Sequence, residues 1–213
     1  MPKAWEAGSS SPSSRRQRAV ESFRSAAETI GPLEKSMAIF GITRGQFSMI
    51  DIIGHCIRRI GPCCISVWTW CVATYELDAF EYFFTEGGIR SARVVIDRSA
   101  EDRNATIIQR WRDKFGADQV RVCKNHAKLA RIWNDDWHLL ARGSMNLNFN
   151  PRFEQFDLTE GGPDFDLVER IENELPVLQA GCSNHEAEAA SQLTLAFDVG
   201  VLNRFGGLKV WAK

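Results

Sequence analysis

Apolar residues along this chain follow two different spacings, and the alternation between them outlines the fold. Phe47, Ile50, Ile53, Cys56, Ile57 and Ile60 fall three or four apart, which predicts an amphipathic helix over residues 47–60. Gly61-Pro62 closes it. Residues 64–73 form a run of apolar, β-branched and aromatic positions, the pattern of a strand buried on both faces. A helix is expected over 77–84 and a second buried strand over 92–96, ending in Asp97. Ser99 with Asp102 resembles a capping box opening a helix to about residue 115, with Ile107, Ile108 and Trp111 on its apolar side. Residues 120–123 read as a third strand. Upstream, residues 17–30 read as a helix and 36–43 as a short strand. Downstream, 155–159 alternates like a strand, and Phe165, Val168, Ile171 and Leu175 mark a helix over 164–175. Beyond Pro176 the pattern weakens, and 191–196 and 208–211 read as late strands or as a segment packed on a partner. Strand and helix in alternation imply an α/β fold: a mixed, mostly parallel central sheet with helices on both faces.

Composition narrows the function classes. The chain has 213 residues, 44% of them apolar, and a net charge of -1. That suits one domain with spare length, and no global charge announces nucleic acid or an acidic membrane. A nucleic-acid site would have to be a local basic patch. Residues 1–18 are rich in Ser, Pro and Arg and read as a flexible basic tail. The catalytic domain is expected over 19–176, with 177–213 as a C-terminal extension. Six cysteines include no C-x-x-C pair and read as reduced core thiols rather than disulfides or metal ligands. No apolar run reaches the roughly 18 residues of a membrane span, and the N-terminus lacks the apolar stretch of a signal peptide. A cytoplasmic protein without a membrane partner is expected.

The chemistry concentrates in two short motifs. His126-Ala127-Lys128 is followed by Gly143-Ser144-Met145-Asn146. His126 and Lys128 are two apart, so on extended chain they share a face, and Ser144 and Asn146 repeat that spacing. Residues 129–142 between them read as strand, turn and strand, with Asn134-Asp135-Asp136 at the turn. A hairpin sets the two pairs side by side. A neutral imidazole can attack phosphorus, an ammonium and an amide can match the charge on the transferring group, and a hydroxyl adds a further hydrogen bond. Arg121, Lys124, Arg131, Arg142 and Arg152 could flank such a site and contact phosphates; for Arg131 and Arg142, mid-strand, a solvated or ion-paired face is the other reading. His55 lies on the apolar helix and reads as structural, and His138 stands beside Leu139 and Leu140 in a packing context.

Histidine-x-lysine, a hairpin and Gly-Ser-x-Asn resemble the motif of the phospholipase D superfamily, over about residues 47–175. The resemblance implies a phospholipase D-like fold and catalytic roles for His126, Lys128, Ser144 and Asn146. Glu154 would be a supporting carboxylate, with Gly143, Arg142 and Arg152 at the substrate. It implies no cofactor and no metal. The family's usual aspartate, five residues after the lysine, is Trp133 here. Asp136 keeps the usual distance before Gly143, and a hairpin longer by three residues accounts for both, although Asp135 and Asp136 equally suit a turn.

The motif occurs once. Single-motif members pair two identical chains, so the resemblance implies a homodimer with one site at the interface, receiving His126 from each subunit. One histidine would be the nucleophile and its mate the general acid. The leading expectation is a metal-independent nuclease acting on DNA or RNA through a phosphohistidine. A phospholipid-cleaving or transferring enzyme is one alternative, and a non-catalytic nucleic-acid-binding or regulatory protein with a degenerate site is another.

Overall fold

A computed structural model describes residues 16–22, 24–70, 72–99, 105–147, 151–175 and 177. Eight strands form one sheet: β1 (Arg16–Ser22), β2 (Met37–Thr43), β3 (Cys63–Thr69), β4 (Ile89–Asp97), β5 (Val120–Cys123), β6 (Leu129–Trp133), β7 (His138–Gly143) and β8 (Glu154–Glu160). Five α-helices are delimited among the described residues: α1 (Ala26–Ile30), α2 (Met49–Ile60), α3 (Thr74–Thr85), α4 (Ala105–Phe115) and α5 (Pro163–Glu174). The strand order is β1-β2-β8-β7-β6-β3-β4-β5.

The expected mixed sheet is present. Its parallel pairs are β1–β2, β3–β4 and β4–β5. The antiparallel pairs are β2–β8, β8–β7, β7–β6 and β6–β3. Antiparallel pairing therefore has a larger share than strand–helix alternation suggests. The hairpin and β8 enter the middle of the sheet, joining two parallel halves.

Helices cover both faces. Alternate residues of a strand point to opposite sides. Ile132 and Leu139, opposite one another, join the main core with Ile53, Ile65, Leu77, Phe80, Trp111 and Phe156 under α2, α3 and α4. Arg131 and Leu140, the next pair, face α5 instead. There Arg131 is buried and ion-paired to Glu172 at 2.6 Å and Glu169 at 2.7 Å. The Trp68 indole N–H also donates to Glu172, at 2.8 Å. The buried carboxylate thus locks α5 to the sheet.

The expected helix over 17–30 is corrected. Residues 16–22 are strand β1, paired parallel with β2, and only the five-residue α1 is helical. Arg-Gln-Arg-Ala-Val-Glu-Ser has no apolar stripe at helical spacing, so pairing with the edge of β2 decides its conformation. Ser25 caps α1, its hydroxyl accepting from the Glu28 N–H at 3.3 Å. Arg16 and Arg18, assigned to the tail by composition, belong to this strand. The rest of that tail, the anticipated strands at 191–196 and 208–211, His185 and Asp102 lie outside the described residues. Val177 forms a bridge to Arg121 on β5.

Candidate active site

Strand direction gathers the motif residues. The parallel strands β3, β4 and β5 end at Thr69, Asp97 and Cys123. The hairpin opens at the same end, since Leu129 pairs with Trp68 and with Arg142. β2 ends there and β8 begins there, with Thr43 opposite Glu154. This is the C-terminal edge of the parallel strands, the edge at which open α/β sheets place ligands. His126, Lys128, Ser144, Asn146 and Glu154 all fall on segments at that edge. The Gly143 N–H donates to the Lys128 carbonyl at 3.1 Å, closing the mouth of the hairpin and tying one motif to the other.

Each side chain has a local support. His126 is exposed, on a loop held by Asn125. Asn125 is only 5% exposed. Its side-chain amide donates to the Thr69 carbonyl at 3.1 Å and the Val95 carbonyl at 3.2 Å, and its oxygen accepts from the Ala127 N–H at 2.9 Å. Its own N–H donates to Asp97 at 2.8 Å. One side chain thus pins the His126 loop to the ends of β3 and β4. Asp97 also accepts from the Ser99 hydroxyl at 2.5 Å and the Ser99 N–H at 2.8 Å. Burial raises the Asp97 pKa, but the bonds from Ser99, Asn125 and the Trp70 side chain outweigh it and hold the carboxyl below its ordinary value. The pattern of apolar and polar positions pointed to Asp97 only as a strand end and to Asn125 not at all. Its contacts come from strands 30 and 56 positions away.

Ser144 is positioned by β8. Its hydroxyl donates to Glu154, and the same oxygen accepts from the Gln155 N–H at 3.0 Å. Glu154 therefore orients Ser144. The Asn146 carbonyl accepts from Met49 N–H at the start of α2, at 3.3 Å. Gly143 meets a specific need, because a Cβ there would sit 2.2 Å from the Gln155 carbonyl oxygen. It is the backbone of β8, pressing against this position, that requires glycine.

The structure sorts the basic candidates. Arg131 is withdrawn as a phosphate contact: it is buried at 1% exposure between Trp133 and Phe165 and paired with glutamates. Arg121 is buried as well, its pKa lowered by that burial and by Arg93 nearby. Arg142 is half-buried and paired with Asp164 at 3.2 Å. Lys124 and Arg152 are exposed, and Lys128 is partly exposed. His55 is buried, with Nε2 bonded to the Gly31 carbonyl at 2.9 Å, a structural role. His138 stacks edge-on against Phe165 while remaining exposed.

Trp133 and Asp136 lie at the closed end of the hairpin. There the Asn134 side chain accepts from the N–H groups of Asp136 and Trp137 at 3.0 and 2.9 Å. Five residues of β6 separate that turn from Lys128, roughly 17 Å at about 3.3 Å per residue. Departure from the usual motif at Trp133 therefore leaves the motif pairs untouched. Among the described residues, no three His, Cys, Asp or Glu side chains gather as a metal-holding group. No helix among them is long and apolar enough to cross a membrane.

No family model matches the sequence, and no curated protein matches it. Among solved structures, the chain is similar to phosphatidylserine synthase of Haemophilus influenzae Rd KW20, at 14% identity and a TM-score of 0.47, over 79% of this chain and 46% of that one. It is also similar to polyphosphate kinase from Porphyromonas gingivalis, at 16% identity and a TM-score of 0.48, over 72% of this chain and 30% of that one. The chain thus spans less than half the length of either.

Proposed function

We propose that this chain is a phosphodiesterase of the phospholipase D superfamily that cleaves nucleic acid, with its site completed by a second copy of the chain. The observation that carries the reading is the joining of His126-x-Lys128 to Gly143-Ser144-x-Asn146 at the ligand-binding edge of the sheet, through the Gly143–Lys128 hydrogen bond. Exposed Lys124 and Arg152 at that edge favour a polyanion.

In this reading an imidazole nitrogen of His126 attacks phosphorus. A P–N bond forms as the P–O bond to the leaving group breaks. Lys128 and Asn146 balance the charge on the equatorial oxygens, and Ser144, oriented by Glu154, adds a hydrogen bond. The second subunit's copy of this histidine gives its proton to the leaving oxygen. Water then attacks the phosphohistidine: the P–N bond breaks, a P–O bond forms, and the partner histidine takes the water proton. No other histidine among the described residues is placed to serve, because His55 is buried against Gly31 and His138 begins β7 at the closed end of the hairpin.

The test incubates purified full-length chain with plasmid, single-stranded DNA, RNA and a chromogenic diester in excess EDTA. Cleavage that persists in EDTA and disappears in His126→Ala is expected. Absence of cleavage of every diester would sink the enzyme reading, and cleavage of phosphatidylcholine vesicles without nucleic acid would transfer it to lipid. The dimer part fails if light scattering finds an active monomer.

A further inference from the structure

Two exposed aromatic rings stand at the ends of strands β3 and β8, at the edge that carries the motif residues. Trp70 follows β3 and is 42% exposed; Phe153 precedes β8 and is 68% exposed. Phe40, Tyr75 and Tyr82 are also exposed among the described residues, but Trp70 and Phe153 are the pair tied to the supports of the motifs. Both are held. The Trp70 side chain hydrogen-bonds to Asp97, the carboxylate that also fixes the His126 loop through Asn125. Phe153 lies under the Arg44 guanidinium, whose carbon is 5.2 Å from the ring centroid, and Arg44 is itself paired with Glu21 at 2.7 Å. Phe153 adjoins Glu154, which orients Ser144.

The strand order β8-β7-β6-β3 sets Lys128, before β6, and Gly143, at the end of β7, between the two strand ends that carry these rings. Their strands are three spacings apart, about 14 Å at roughly 4.8 Å each. Bases next to one another in a duplex strand are about 3.4 Å apart along the axis and are covered by their neighbours. A duplex cannot place a base on each ring with a phosphate between them. A single strand with splayed bases can, and base–aromatic stacking is how such strands are held without sequence preference.

We propose that Trp70 and Phe153 are stacking platforms and that the chain selects single-stranded nucleic acid, with bases on either side of the bound phosphate resting on the two rings. This rests on the phosphodiesterase reading for its chemistry but not for its binding.

The experiment measures fluorescence anisotropy of labelled 12-nucleotide single-stranded DNA, the matching RNA and the matching DNA duplex with full-length chain in EDTA. The single strands are expected to bind at least tenfold more tightly than the duplex. Phe153→Ala and Trp70→Ala should each weaken single-strand binding by about tenfold, within the range of one base–aromatic stack, and lower the single-strand to duplex ratio. Phe153→Trp and Trp70→Phe should restore it, which separates stacking from a folding defect. Tyr82→Ala, an exposed ring on α3 away from this edge, should change nothing. Comparison of DNA with RNA identifies which strand is preferred.

Equal loss for single strand and duplex, or no loss in Phe153→Ala, overturns the proposal. A wild-type chain that cleaves the chromogenic diester but shows no single-strand preference overturns the stacking alone. A chain that cleaves no diester yet binds single strands through these rings overturns the enzyme reading and keeps the stacking. A chain that binds neither overturns it.

Discussion

Replacing Asn125 with alanine should loosen the candidate site and the fold together. The side chain makes three hydrogen bonds, to Thr69, Val95 and Ala127, in a position only 5% exposed. A neutral internal hydrogen bond contributes about 1 kcal/mol net, and a buried group left without a partner costs about 1–3 kcal/mol. Three bonds lost together put the destabilisation at about 3 kcal/mol, with the orphaned carbonyls of Thr69 and Val95 able to raise it. With a urea slope of about 2 kcal/mol/M, the unfolding midpoint should drop by about 1.5 M. Asn125→Asp keeps the oxygen facing Ala127 but loses both amide donors and sets a carboxylate against two carbonyls and near Asp97. It should be less stable than the alanine variant. The His126 loop loses its anchor in both, so diester turnover should fall by about 100-fold or more, the scale expected for misplacing a nucleophile by an ångström. Urea denaturation followed by circular dichroism reads the first effect, and the EDTA-resistant diester assay the second. A midpoint within 0.3 M of wild type, by the same linear relation, or an aspartate variant as stable as the parent, would refute the account of Asn125 as the anchor.

Three further outcomes are expected. Gly143→Ala drives a methyl to 2.2 Å from the Gln155 carbonyl oxygen; it should cost at least the roughly 1–3 kcal/mol of an overpacked site and cut diester turnover, and a variant with unchanged melting and activity would contradict the close approach of β7 to β8. Glu172→Ala leaves Arg131 buried without its 2.6 Å partner, so calorimetry or urea should show a loss of about 3–5 kcal/mol, and a loss below about 1 kcal/mol, the ceiling typical of exposed pairs, would mean that α5 is held otherwise. Burial lowers the His55 pKa beneath the ordinary 6.5. The unfolded chain therefore takes up the proton first, so the stability due to neutral His55 is complete above about pH 6.5 and declines as pH falls from there toward the folded value. His55→Gln, which can still donate to Gly31, should flatten the stability profile below about pH 6.5; an unchanged slope there would refute it.

Local pattern carried much of the architecture. Helix α2, strands β3 to β5, the hairpin and α5 all follow from apolar spacing and turn residues, because in each the buried face is written as a period of 3.6 or 2. Segment 16–22 escaped that reading. It is polar, lies at an edge and owes its extended form to a partner strand 21 positions on. The antiparallel centre of the sheet escaped it too, since spacing reports which face a strand buries and not which neighbour it takes.

The candidate site divides in the same way. By itself the sequence determined which residue types could act and their two-residue spacing: His126 with Lys128, and Ser144 with Asn146. It also carried the hairpin between them, because turn chemistry and strand alternation are local. Only the tertiary structure decided where these residues stand and what holds them. It set the hairpin mouth beside the ends of β3, β4 and β5, and anchored the His126 loop through Asn125 and Asp97. It oriented Ser144 through Glu154, buried Arg131 beneath α5, and left Trp70 and Phe153 exposed at the ends of β3 and β8. Those relations join residues tens of positions apart, and they exist only once the sheet has chosen its strand order.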